Sequence, residues 1–167
     1  MALIDDLPEN SSGNLSVVGV FAADPFLNCK RVADRLLAKG YDQVTNIPPV
    51  AAYGFEFLAT LDKVASGQAQ EQRNIERLLD RGLSVSPAVT GIDGLSAALA
   101  WSPRRLWIVP SFDMWHDTEI KEDLLLGLCR IVTHQTDVPV VLVAGKTSVS
   151  AMSAAKAGAR GILLDEG

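Results

Sequence analysis

The residues that could perform chemistry in this sequence follow short apolar runs that have the length and composition of buried strands. Ligands of parallel α/β proteins bind at the carboxyl ends of the strands, so the polar residues at these positions are candidates for a functional site. Their carboxylate, amide, hydroxyl, imidazole and amine groups could bind an anion or transfer a proton. They are Asp24, Asn46, Ser86, Thr90, Ser111, Asp113, His116, Lys146, Thr147, Ser148, Asp165 and Glu166, together with Gly145.

Residues 145–148, Gly-Lys-Thr-Ser, are the candidates for binding an anionic ligand. They follow a predicted strand and open a predicted helix, so backbone N–H groups, the Lys146 amine and two hydroxyls would surround the anion. A nucleotide-binding P-loop would need a glycine at position 140, where the sequence has Val140. The alternative is that Thr147 or Ser148 only caps the helix.

Asp24, Asp113 and His116 are the candidates for catalysis by proton transfer. Asp113 and His116 lie on one predicted loop, close enough to form a histidine–carboxylate pair, although an ordinary exposed loop has the same composition. Asp24 ends the first predicted strand and could act as an acid, a base or a metal ligand, or it could only cap a helix that begins at Pro25. The sequence contains no nucleophile elbow, H-E-x-x-H or G-x-G-x-x-G motif, and it identifies no cofactor.

Six apolar segments alternate with segments of helical periodicity, which predicts parallel strands joined by right-handed helical crossovers. The strands are predicted at 16–23, 42–47, 83–89, 105–109, 138–144 and 159–164. The helices are predicted at 25–39, 55–64, 69–80, 92–101, 118–134 and 148–157. Residues 1–15 are predicted to form a flexible arm, because they are polar and rich in turn-forming residues, and residues 16–167 are predicted to form one α/β domain.

The composition is that of an ordinary globular domain: the 167 residues are 48% hydrophobic and 21% charged, and the formal net charge is -5. The acidic balance and the lack of basic runs argue against a nucleic-acid partner. We find no signal-peptide pattern and no apolar run near the roughly 20 residues of a membrane span, so we expect a cytoplasmic protein with no membrane partner. Cys29 and Cys129 lie in apolar helical stretches without metal-ligand spacing, so no metal site is predicted.

Two strand ends carry a resemblance to a known family. Residues 17–26 read Val-Val-Gly-Val-Phe-Ala-Ala-Asp-Pro-Phe, and residues 43–50 read Gln-Val-Thr-Asn-Ile-Pro-Pro-Val. They resemble the G-V-x-x-T-D-P-F and V-Q-N-F-P-T-V strand ends of the phosphoenolpyruvate-hydrolase-like family, also called TIM-barrel signal transduction proteins. The resemblance implies an eight-stranded TIM barrel that hydrolyses small phosphorylated or phosphonate acids or that serves as a sensor domain of regulators.

The resemblance also assigns residues. It matches Asp24, Asn46 and Glu71 to motif positions of the family, and it implies that Asn46 and Glu71 bind ligand. The chain departs from the family pattern at the histidine-bearing strand end A-H-M-G, because residues 109–112 read Val-Pro-Ser-Phe. It also lacks the first two strand–helix units of the family.

Without those two units, the resemblance implies an incomplete TIM-barrel-like fold of about six parallel strands. An open flavodoxin-like sheet is the alternative fold. An incomplete barrel has two unpaired strand edges, which proteins normally cover. We therefore expect a homodimer, or a partner subunit, that covers these edges.

The last third of the chain has a second resemblance. Residues 137–144, Asp-Val-Pro-Val-Val-Leu-Val-Ala, and residues 154–161, Ala-Ala-Lys-Ala-Gly-Ala-Arg-Gly, are similar to the end of a response-regulator receiver, in which an aspartate accepts phosphate. On this interpretation Ser111 or Asp113 lies near the acceptor position and Asp165 stands near the lysine position. Such a receiver would be degenerate.

These observations predict a regulatory or ligand-sensing TIM-barrel-like domain that binds a small phosphorylated or carboxylated metabolite. One alternative is an enzyme similar to phosphoenolpyruvate or phosphonopyruvate hydrolases, in which Lys146 holds the anion, Asn46 orients the substrate, and Asp24 or the pair of Asp113 and His116 moves protons. A second alternative is a degenerate receiver, and a third is a protein that docks another subunit through its strand edges.

Overall fold

The strands and helices alternate along the chain, as the sequence predicts. The computed structural model describes residues 4, 7–10, 16–112, 114, 122–145 and 149–164. Its strands are β1 (Val18–Gly19), β2 (Gln43–Thr45), β3 (Ser84–Val85), β4 (Ala88–Val89), β5 (Leu106–Ile108), β6 (Val140–Gly145) and β7 (Gly161–Leu164). Its helices are α1 (Cys29–Ala38), α2 (Phe55–Lys63), α3 (Gln68–Leu79), α4 (Leu95–Ala100), α5 (Glu122–Gln135) and α6 (Ala151–Lys156), and a short 3-10 helix, Val50–Ala52, follows β2.

All the pairings between the described strands are parallel. The strands are neighbours in chain order, β1-β2-β3 in one sheet and β4-β5-β6-β7 in a second. Consecutive order is the arrangement of a (β/α) barrel. Flavodoxin-like and receiver domains have the strand order 2-1-3-4-5, so the predictions of a flavodoxin-like sheet and of a receiver are wrong.

The predicted strand 83–89 is divided into β3 and β4 by Ser86 and Pro87. The ladder breaks here because proline has no N–H to donate. The N–H of Ser86 still donates to the carbonyl of Val44 at 2.8 Å, and the carbonyl of Pro87 accepts from the N–H of Trp107 at 2.9 Å. The chain therefore passes directly from the first sheet to the second at this point.

Two apolar cores lie between the strands and the helices. The first contains Val44 and Val85 of the first sheet with the buried faces of α1 and α3. The second contains Leu106, Ile108 and Leu142 of the second sheet with the buried faces of α4, α5 and α6. Because successive strand residues point to opposite faces, these positions define the outer face of the strands, which the helices cover.

The other face of the strands, which we call the inner face, has a smaller apolar cluster. Ala88, Val109 and Val143 form this cluster, and Ile47 and Trp107 pack against it. Trp107 lies between two outer-face residues of β5, so its indole belongs to the inner face.

The helix predicted from Pro25 begins instead at Cys29. Asn28 is its N-cap, and the Asn28 side-chain oxygen accepts a hydrogen bond from a backbone N–H of the first turn at 3.0 Å. Asp24 does not cap the helix, because its Oδ1 accepts from the N–H of Phe26 at 2.8 Å and forms an Asx turn. This turn contains Pro25 and Phe26, which were predicted to be the first residues of the helix.

The helix predicted from 148 begins at Ala151. Ser150 is its N-cap, and the Ser150 hydroxyl accepts from the N–H of Ser153 at 3.0 Å. The prediction that Thr147 or Ser148 caps this helix is therefore wrong. Both residues lie outside the described part of the chain.

The described residues of segment 1–15 contact the end of α1. The N–H of Asn10 donates to the carbonyl of Lys39 at 2.9 Å, and the hydroxyl of Tyr41 donates to the carbonyl of Pro8 at 3.0 Å. The flexible arm stays a prediction for the remainder of the segment.

Among the described strands, β1, β3, β4 and β7 each pair with one neighbour. Because Ser86 and Pro87 connect β3 directly to β4, β1 and β7 are the outermost strands of the described chain. A second copy or partner subunit that covers these edges stays a prediction. Across the described ranges, no helix combines the length and the apolarity that crossing a membrane requires.

Leu36 and Leu37 provide a matched test of how α1 packs. Leu36 is 0% exposed, whereas Leu37 is 41% exposed. We expect Leu36→Ala to lower the free energy of unfolding by about 2–5 kcal/mol, because it leaves a cavity in the first core, and Leu37→Ala to lower it by less than about 1 kcal/mol. Urea denaturation followed by circular dichroism measures both. Equal losses would contradict the packing of α1 through the face that contains Leu36.

Candidate functional site

The carboxyl ends of β1, β2 and β4 meet the N-terminal half of α3. Asn46 directly follows β2 and is 3% exposed, and its Oδ1 accepts a hydrogen bond from the N–H of Ala88 at 2.7 Å. This bond joins β2 to β4 next to Pro87, where the backbone ladder is broken. Asn46 therefore helps to hold the two sheets together at their common rim.

Glu71 lies beside Asn46 and is 8% exposed. Its Oε1 accepts from the N–H of Val50 at 3.0 Å, and the Asn46 side chain also hydrogen-bonds its carboxyl group. Burial raises the pKa of Glu71, and the hydrogen bonds from Val50 and Asn46 only partly oppose this effect. A buried carboxyl group of raised pKa is typical of functional sites, although structural networks also contain them.

Asn74, one helical turn after Glu71, ties the loop after β1 to the same helix. Asn74 is 0% exposed, and its Nδ2 donates to the carbonyls of Ala22 and Asp24, both at 2.9 Å. The sequence reasoning missed Asn74. Its spacing from Glu71 and Ile75 was a usable signal, because it places an amide on the buried face of a predicted helix.

A cavity of about 390 Å³ lies beside Asn46 and Glu71, between α3 and α4. This volume falls in the range of about 300–1,000 Å³ that is typical of small-molecule sites. Trp101 and other apolar residues form part of the wall. The polar lining residues are Asn46, Gln68, Glu71, Gln72, Thr90 and Asp93.

The described lining of the cavity is rich in hydrogen-bonding groups and contains no Lys or Arg. Its carboxyl groups, amides and hydroxyl can bind hydroxyl, carbonyl, amide or amine groups of a ligand. A fully ionised anion would need a cation from outside this lining.

The structure brings together three of the candidate residues, Asn46, Glu71 and Thr90, in the wall of one cavity. Asp24 is half-buried in the loop after β1 and does not line the cavity. Gly145 is the last residue of β6, so it ends at the same rim as β4 and β5. Ser86 and Ser111 are described and do not line the cavity. The remaining candidates lie outside the described part of the chain: Asp113, His116, Lys146, Thr147, Ser148, Asp165 and Glu166.

The two cysteines are buried and unpaired with each other. Burial raises the pKa of both thiols, which keeps them in the less reactive neutral form. Within the described ranges, no three His, Cys, Asp or Glu side chains come close enough together to hold a metal ion.

Comparison with known proteins identifies the fold. No protein-family model and no curated protein matches the sequence. Among solved structures, the chain is similar to a mutant of FabK from Thermotoga maritima, with a TM-score of 0.51 and 12% identity over 89% of this chain and 42% of that protein. It is also similar to nitroalkane oxidase from Streptomyces ansochromogenes, with a TM-score of 0.51 and 17% identity over 91% of this chain and 50% of that protein.

Both of these proteins are TIM-barrel-like. The fold is TIM-barrel-like and incomplete. At these identities the likeness concerns the fold alone, and the chain spans half or less of the length of either protein. The predicted TIM-barrel-like fold of about six strands is therefore confirmed, whereas the closer resemblance to the phosphoenolpyruvate-hydrolase-like family gains no support from these comparisons.

Glu71→Gln should change how stability depends on pH. The pKa of Glu71 is raised above its ordinary value of 4.5 in the folded protein, so the folded protein holds this proton more tightly than the unfolded chain does. Below that ordinary value both states are protonated, and as pH rises through the raised pKa the wild type loses stability because it must ionise a buried group. We expect Glu71→Gln to keep this stability, because glutamine does not ionise. The loss in the wild type is about 1.4 kcal/mol for each unit by which folding raises the pKa of Glu71.

Urea denaturation at a series of pH values measures this effect. Glu76→Gln is the matched control, because Glu76 is exposed on the same helix. If the wild type and Glu71→Gln show parallel pH dependence, the Glu71 carboxyl group ionises as freely in the folded protein as in the unfolded chain, contrary to the expectation.

Proposed function

We propose that this chain is a ligand-sensing or regulatory domain that binds a small phosphorylated or carboxylated metabolite at the carboxyl ends of its strands. The observation that carries the proposal is the cavity of about 390 Å³ at this rim, with the buried pair of Asn46 and Glu71 in its wall. TIM barrels place their ligands at this end of the strands.

The ligand would have two chemically different ends. Amides, carboxyl groups and the Thr90 hydroxyl of the described lining suit the hydroxyl, carbonyl or amide groups of a metabolite. The acidic end would need the positive charge of Lys146, which follows Gly145 at the end of β6. β6 is two strands from β4, a separation of about 10 Å across a sheet, which a small metabolite can span.

Two observations favour binding over turnover. Glu71 already accepts hydrogen bonds from Val50 and Asn46, which is the arrangement of a residue that holds a loop in place. Residues 109–112 replace the histidine-bearing strand end of the phosphoenolpyruvate-hydrolase-like family, and that family includes sensor domains. The sequence resemblance therefore supports a sensing role more than inherited catalysis.

Calorimetry and thermal melting with inorganic phosphate, pyruvate and phosphoenolpyruvate test the proposal. A ligand at 100 times its Kd should raise the unfolding free energy by about 2.7 kcal/mol, which corresponds to a Tm increase of about 5–10 °C. We expect at least one of these acids to produce such a shift, Lys146→Ala to abolish it, and Glu71→Gln to weaken it. Lys156→Ala, at an exposed position on α6, is the matched control and should bind as the wild type does.

Two results would count against the proposal. If none of the three acids produces heat or a change in Tm, the chain does not sense this class of ligand. If phosphoenolpyruvate is consumed with release of phosphate, the enzyme alternative replaces the sensor.

A further inference from the structure

The inner face of the strands contains a group of buried polar side chains without hydrogen-bond partners. Gln43 is 1% exposed, Thr45 is 4% exposed and Ser86 is 0% exposed. Both side-chain polar atoms of Gln43, the hydroxyls of Thr45 and Ser86, and the indole Nε1 of Trp107 have no partner in the described structure. We call these four residues the inner polar cluster.

The four side chains share one face of neighbouring strands. Gln43 and Thr45 flank the outer-face residue Val44, and Ser86 follows the outer-face residue Val85. The pairing of Val44 with Val85 continues to the next residues, so Thr45 lies beside Ser86 on the adjacent strand. The cluster is therefore a continuous polar patch and not a set of isolated groups.

Trp107 connects this patch to the apolar part of the inner face. It pairs with Ala88, two residues beyond Ser86, and it packs against the cluster of Ala88, Val109 and Val143. None of the four residues of the inner polar cluster lines the cavity beside Glu71. The patch is separate from the proposed metabolite site.

The absence of partners is unusual, because almost all buried polar groups in folded proteins are hydrogen-bonded to protein or to ordered molecules. The cluster contains donors and acceptors: the Gln43 amide and the two hydroxyls do both, and the Trp107 indole donates. None of its members is charged, so nothing in the cluster compensates the charge of an ion.

We propose that the inner polar cluster binds a neutral molecule that both donates and accepts hydrogen bonds. Ordered water and a small neutral organic molecule share this chemistry. Gln43, Thr45 and Ser86 are almost fully enclosed, whereas Trp107 is half-buried. The guest is therefore small, and it reaches the three enclosed side chains only when the inner face opens.

The direction of a stability change tests the proposal. Thr45→Val and Ser86→Ala each remove one hydroxyl with little change of shape. If a guest is bound, each substitution removes a hydrogen bond, and we expect Tm to fall by about 2–6 °C. If the inner face is empty, each substitution removes a polar group that is buried without a partner, and Tm rises instead.

Ser84→Ala is the matched control. Ser84 is the first residue of β3, and Ser86 directly follows this strand. The Ser84 hydroxyl donates to the carbonyl of Asp42 at 3.0 Å, so its hydrogen-bond partner is part of the protein. The fall in Tm of Ser84→Ala gives the size of the effect when a hydroxyl loses a known partner. A fall of this size or larger in both Thr45→Val and Ser86→Ala supports the proposal, whereas an unchanged or raised Tm in either variant overturns it.

A second measurement does not depend on the variants. In the wild type, the Trp107 indole N–H resonance, assigned with Trp107→Phe, should show magnetisation transfer from a bound water or from a non-protein molecule. Mass spectrometry of the denatured protein then separates the two sources, because an organic guest is released in stoichiometric amount and water is not detected. The lack of any such transfer overturns the proposal independently of the Tm values.

Discussion

Hydrogen bonds from the buried polar side chains of α3 fix the loops that follow β1 and β2. Glu71 and Asn74 occupy positions where the helical repeat of Ile75 and Leu78 would otherwise place apolar residues. Because a buried polar group without a partner costs about 1–3 kcal/mol, the loops must present backbone groups to these side chains. The C-terminal half of α3 packs into the first core. The same helix therefore stabilises the sheet at one end and positions the rim at the other.

The two faces of the strands have different chemistry. The outer face is apolar and is covered by helices, so it supplies most of the apolar surface that is buried on folding. The inner face begins with Gln43 and Thr45 on β2 and becomes apolar from Ala88 onward. Because the outer cores do not involve the inner face, an incomplete barrel can fold through its helix–strand layers and still carry polar groups in its interior.

The alternation of strands and helices was predictable from the sequence, because buried parallel strands are short apolar runs and each is followed by a helical repeat. Local hydrogen bonds were not: Asp24 before a proline has the pattern of a helix cap, but its side chain closes a turn instead. The resemblance selected Asn46 and Glu71, and the fold places them in contact. The position of Asn74 on the buried face of α3 was visible in the sequence, but the loop carbonyls that it reaches were not, because they come from a segment about 50 residues earlier in the chain.

The contacts of Glu71 give the cavity a way to affect the rest of the rim. Its carboxyl group holds the N–H of Val50 in the loop after β2 and also contacts Asn46, which in turn holds the N–H of Ala88 in β4. A ligand that competes for the Glu71 carboxyl group, or changes its protonation, would weaken or strengthen both contacts together. Since Asn46 bridges the two sheets where the backbone ladder is broken, a ligand bound in this cavity would act on the junction between them. This position of the cavity is consistent with the proposed sensing function, in which a ligand shifts the domain between two arrangements of its sheets.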